Sequence, residues 1–118
     1  GGAAEQGEDQ QGNIVNVPLA AGSGSAKFRQ AMIGRIFPAL TSFAPELLII
    51  SAGFDGHAED PLAQLNFTDD DYAWVTTELM SIADQTAEGR IVSALEGGYD
   101  LNALGRSVAV HVRALMAA

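Results

Sequence analysis

Cysteine is absent from the 118 residues, which rules out disulfides and thiolate metal sites. Basic residues are scarce: 6 Lys and Arg stand against 15 Asp and Glu, a formal net charge of −9. That balance leaves no electrostatic footprint for nucleic acid or an anionic membrane. It suits solubility, or the attraction of a cationic ligand. No apolar run approaches the roughly 20 residues of a membrane span, and no signal-peptide pattern opens the chain. The expectations are therefore no nucleic-acid partner, no membrane partner and a cytoplasmic location. What is present in quantity is apolar side chain, 47% of residues, which argues for one folded domain rather than disorder.

Residues 1–12, GGAAEQGEDQQG, are small and polar and read as a flexible tail or a truncated loop. Beyond them, strand-like and helix-like patterns alternate. The β-branched stretch NIVNVPL (13–19) reads as a strand. After a glycine loop, Phe28, Met32, Ile36, Leu40 and Phe43 fall at helical spacing, with Pro38 placed to kink or divide the helix. ELLIIS (46–51) is apolar at successive positions, as in a strand buried on both faces. Thr68 then reads as a helix cap with Asp69, Asp70 and Asp71 in the first turn, where carboxylates complement the helix dipole. Tyr72, Val75, Leu79 and Ile82 mark the buried stripe of that helix. RIVSALE (90–96) is a third strand and GGYD (97–100) a tight turn. Leu101, Leu104, Val108, Val112 and Leu115 line a last helix.

The order β-α-β-α-β-α predicts an α/β fold, with a parallel sheet and flanking helices. Ligands in such sheets gather beyond the carboxyl ends of the strands. The loops AAGSG, SAGFDG and EGGYD all follow strands, so they are expected at one edge.

Each loop offers candidate chemistry. Asp55, just past a buried strand, is either a loop cap bonded to backbone amides or a metal ligand or general base. His57 is either a solvated loop residue or a second ligand beside Asp55; two ligands fall short of the three that a catalytic zinc site needs. His111, within the last helix, reads as structural. Tyr99 follows Gly97 and Gly98, whose freedom allows close backbone approach. Its phenol either packs on the sheet edge or donates to a developing oxyanion. GSGS (22–25) before a helix is a weak anion-cradle signal without Walker or dinucleotide spacing, and it motivates an unrelated nucleotide-binding reading.

NIVNVPL, FAPELLIISAGFDGHAEDPLAQLNFT and GRIVSALEGGYDL together resemble the C-terminal part of the histone deacetylase superfamily. The likeness is to its bacterial and class II-like members, including acetoin-utilisation and acetylpolyamine amidohydrolase proteins. On this resemblance, residues 13–118 are the C-terminal portion of a deacetylase-like α/β domain of the arginase–deacetylase fold. The family hydrolyses N-acetyl groups from lysine or polyamines with a zinc-bound water. The resemblance implies that Asp55 is a zinc ligand and that Tyr99 polarises the acetyl carbonyl. It places Gly97, Gly98, Leu62 and Phe54 at the substrate tunnel, and Leu62 instead of a glutamate does not favour a polyamine. The family's Asp-x-His ligands and its paired histidines lie on earlier segments with no counterpart in this sequence. The expectation is a part of a zinc-dependent amidohydrolase that is inactive alone. The alternative is a non-catalytic deacetylase-like remnant that binds or assembles, by self-association or by docking to an N-terminal half.

Overall fold

Two short parallel strands carry the architecture. The computed structural model describes residues 14–55, 57–59 and 65–117. The elements are α1 (Ser25–Ala31), a π-helical turn (Met32–Ile36), α2 (Phe37–Phe43), β1 (Leu48–Gly53), α3 (Asp69–Thr86), β2 (Ile91–Gly97) and α4 (Leu101–Met116). β1 and β2 pair in parallel with Leu48 opposite Ile91 and Ile50 opposite Ser93, and the register shifts between Ala52 and Gly53 so that Gly53 faces Gly97. The tail 1–12 lies outside the described residues.

The expected first strand does not form among the described residues: 14–20 pair with no sheet. Pro18 removes a ladder donor in mid-segment. Leu19 instead packs against the core, and Val17 lines a cavity with Phe28 and Met32 of the first helical stretch. Pro38 divides its helix as expected, falling in the first turn of α2 immediately after the π-helical turn. A proline cannot supply the intrahelical N–H, and the wider turn absorbs the missing bond.

α3 starts where the cap residues dictate. Thr68 accepts from the Asp71 N–H at 3.3 Å, and the Asp71 carboxylate accepts from the Thr68 N–H at 2.9 Å, closing a capping box. Asp71 does more than cap. It is fully buried and also accepts from Ser25 Oγ at 2.5 Å and Arg29 Nε at 3.0 Å. Burial pushes its pKa up, but the bonds from Ser25, the Thr68 N–H, Arg29 and the Thr68 hydroxyl outweigh that and hold it below the ordinary 3.8. The Arg29 guanidinium lies 4.8 Å from the centre of the Trp74 ring, so the same ion pair ties α1 to α3 through a cation–π contact.

The core occupies one face of the sheet. Ala52, Phe54, Phe67 and Tyr72 form its main cluster, and Leu48, Ala83 and Ala87 a second. The opposite face is bare among the described residues: Ile49 is 66% and its cross-strand neighbour Val92 54% exposed. β1 was expected to be covered on both sides, and here only one is. α4 keeps part of its apolar stripe: Leu104 and Val108 pack against the main cluster, whereas Leu101 is 80% exposed. Its buried residues are Ala103, Ser107 and His111. His111 is held by two hydrogen bonds. Thr76 Oγ1 gives its proton to the Tyr72 carbonyl, so it accepts from His111 Nδ1 at 2.7 Å, and His111 Nε2 accepts from Ser93 Oγ at 2.8 Å. This neutral tautomer joins α4 to α3 and β2, and burial lowers the imidazole pKa to match. No helix among the described residues is long and apolar enough to cross a membrane.

Candidate active site at the carboxyl ends of the strands

Parallel pairing puts the ends of β1 and β2 at the same edge, and the loops that follow meet there. The Phe54 N–H donates to the Gly97 carbonyl at 2.8 Å, extending the ladder one residue beyond β1. The next residue, Asp55, is half-buried. Its carboxylate lies against two glycine α-carbons. A Cβ built on Gly97 falls 3.2 Å from Asp55 Oδ1 and 3.3 Å from its Cγ, and one on Gly53 falls 3.2 Å from the same oxygen. A side chain at either position would press on the carboxylate, which would have to give by a few tenths of an ångström. Gly98 has a second constraint. Its φ of +140° is a glycine conformation, and a Cβ there falls 2.6 Å from Leu104 Cδ1. Tyr99, the next residue, is 57% exposed at the mouth of this edge. A cleft of about 300 Å³ adjoins Asp55 and is otherwise walled by residues such as Ile50, Ala52, Phe67, Tyr72 and His111.

The structure thus brings Asp55, Gly97 and Gly98 into contact or near contact and sets Tyr99 one residue past them. Leu62 lies outside the described residues. Phe54 lines the same cleft from its core side, buried with its ring 5.0 Å from Tyr72 and 5.6 Å from His111. Alternation along the strand explains this: if Asp55 points to the edge, its neighbour Phe54 points inward.

His57 is not the solvated loop residue of one sequence reading; it is 6% exposed. The Glu59 N–H donates to Nδ1 at 3.1 Å, which places the proton on Nε2, 2.7 Å from Asp69 Oδ1. The ring stacks at 6° on Tyr72, with centroids 6.5 Å apart. Its turn and core contacts hold it away from a shared metal site, and among the described residues no three His, Cys, Asp or Glu side chains group to hold an ion. A catalytic zinc centre needs three protein ligands and an open position. The described residues offer it one carboxylate, so by themselves they do not fit the ion.

The GSGS loop is not an anion cradle. Ser23 Oγ donates to the Ala20 carbonyl and Ser25 Oγ to Asp71, and Asn66 Nδ2 and N–H donate to Gly22 and Ser23 carbonyls. The buried Asp71 carboxylate already engages the Ser25 hydroxyl and Arg29, the side-chain donors an anion here would use.

Comparison with known proteins gives one consistent answer. The family model for the histone deacetylase domain matches residues 1–115. "Type-2 histone deacetylase 2" of Dictyostelium discoideum is 42% identical over 108 residues, 89% of this chain but 6% of that protein. "Histone deacetylase-like amidohydrolase" of Pseudomonas aeruginosa is 40% identical over 99 residues, 83% of this chain and 26% of the other. Among solved structures, that of the histone deacetylase Clr3 superposes with a TM-score of 0.81 at 34% identity, covering 87% of this chain and 17% of that one. The chain therefore spans about a quarter or less of these relatives.

Proposed function

The chain belongs to the histone deacetylase family, and on that premise we propose that it is one part of a zinc-dependent amidohydrolase acting on acetyl-lysine or acetylated amines. One observation carries the reading: the Asp55 carboxylate sits beside Gly53 and Gly97, in the space their side chains would approach, at the shared carboxyl edge of the two strands. Two glycines keep that space open, and a carboxylate held half-buried at such an edge suits ligation better than solvation. In this reading Asp55 gives one oxygen ligand. Tyr99 donates its phenol proton, as a hydrogen bond, to the acetyl oxygen as that oxygen gains charge. Gly97 and Gly98 keep the floor of the site free of side chains. The remaining ligands, and the base that takes the proton from water, come from outside the described residues.

The face of the sheet that stays bare among the described residues supports a second reading. Ile49 and Val92 stay exposed side by side on strands whose parallel pairing normally hides both faces. This favours a segment that docks to further protein or to itself. The two readings agree that the 118 residues do not make a complete catalyst, and an assay separates them. Purified alone, the chain is expected to show no zinc-dependent release of acetate from acetyl-lysine peptides, whereas a complete protein containing it turns them over. Turnover by the chain alone overturns the partial-site reading; a complete protein with no turnover leaves the binding reading.

A further inference from the structure

An ion-pair cluster outside the proposed chemistry joins the loop after Asp55 to α3 and α4. Arg106, in the second turn of α4, donates from Nε to Asp69 Oδ2 at 3.2 Å and from Nη2 to Glu59 Oε2. Asp69 opens α3 and accepts a hydrogen bond from His57 Nε2 on its other oxygen. Glu59 returns its own N–H to His57 Nδ1, and Ala58 N–H bonds the Phe67 carbonyl at 2.8 Å. Glu59 first and Asp69 next raise the Arg106 pKa above its ordinary value.

The placement matters because Asp55 lies between two fixed points. Upstream it is held by the Phe54–Gly97 bond; downstream, two residues on, by His57 and the cluster. The cation that closes the cluster sits on α4, the helix that begins directly after Tyr99 and is capped by Asp100, which accepts from the Ala103 N–H at 2.8 Å. One guanidinium thus ties the Asp55 loop to the helix that carries the Tyr99 turn. We infer that Arg106 is a positioning residue: through Glu59, Asp69 and His57 it fixes the Asp55 loop relative to Tyr99. This rests on the reading of Asp55 and Tyr99 as site residues. A planar fork serves two carboxylates at once, which a lysine cannot do with the same geometry. Exposed pairs contribute little to global stability, so the cluster's effect belongs to local geometry.

The test compares Arg106→Gln and Arg106→Lys with Arg90→Gln, which breaks the exposed Arg90–Glu88 pair elsewhere. All are made in the complete protein. Arg106→Gln is expected to lower kcat on acetyl-lysine peptide by about 10- to 100-fold with KM within about 2-fold, as for residues that orient ligands. Lysine is expected to recover part of the loss, and Arg90→Gln to lose none. Amide exchange at Ala58 and Glu59 is expected to quicken by about 10-fold in Arg106→Gln, with Tm moved by no more than about 2 °C. A kcat like that of Arg90→Gln, or a loss that merely follows an unfolded fraction, overturns the positioning role. A wild type without turnover overturns the site reading instead. The exchange data then decide the clamp alone: unchanged rates at Ala58 and Glu59 refute it.

Discussion

Asp71→Ala is expected to lower the free energy of unfolding by about 2–4 kcal/mol, the loss of a helix cap together with charge-assisted hydrogen bonds to a buried carboxylate whose partner Arg29 stays part-exposed. The side chain is fully buried, and four donors converge on it: the Ser25 hydroxyl, Arg29 Nε, the Thr68 N–H and the Thr68 hydroxyl. Alanine leaves the α3 N-terminus without its capping box and Arg29 without its counter-ion. Asp71→Asn keeps the volume and is expected to fall between the two. The pH dependence has a definite sign. The folded pKa lies below the unfolded value near 3.8. The contribution of Asp71 is therefore complete above about that pH and is lost as pH falls through the folded value. Urea unfolding at neutral pH and below pH 4 reads both effects. A variant within about 1 kcal/mol of wild type at neutral pH, or one that keeps the wild-type acid transition, contradicts the role assigned here.

Tyr99→Phe in the complete protein is expected to lower kcat by about 10²- to 10³-fold, the cost of removing one oxyanion donor, with KM little changed. The hydroxyl is the only atom removed. Its ring stands 57% exposed beyond Gly98, so Tm is expected to stay within about 2 °C. The KM-against-kcat split separates the proposed role from a general loss of substrate contact, because a donor that serves the developing charge acts chiefly in the transition state. Equal kcat in the two proteins makes Tyr99 a rim residue only.

The parts of the fold that were legible in the sequence were those with local causes. Thr68 with three acids after it gave the start of α3, and Pro38 marked the divided helix. The glycine pairs at 53 and 97 followed strands, so the meeting of their loops was readable from topology. What was not readable depended on partners far along the chain. His57 looked like a solvated loop residue because Asp69 and Tyr72, which bury it, are 12 and 15 positions away. Arg106 and Glu59 are separated by 47 positions, and no spacing rule links them. The apolar stripe of α4 was legible at Leu104 and Val108, which pack on the core, but not at Leu101, which stays exposed. Burial of His111 was not legible, because Thr76 and Ser93, which bond it, are 35 and 18 positions away. Among the described residues, 14–19 form no strand for a related reason: β-branched composition favours pairing but does not supply the partner.

The most direct test of the central claim is the zinc content of the complete protein, wild type against Asp55→Ala, measured after dialysis with both proteins shown to be folded. If Asp55 is a ligand, wild type is expected to retain about one zinc per chain, and the variant to lose it at zinc concentrations that still saturate wild type. Equal zinc in the two proteins would contradict the assignment of Asp55 and, with it, the placing of the site at this edge of the sheet.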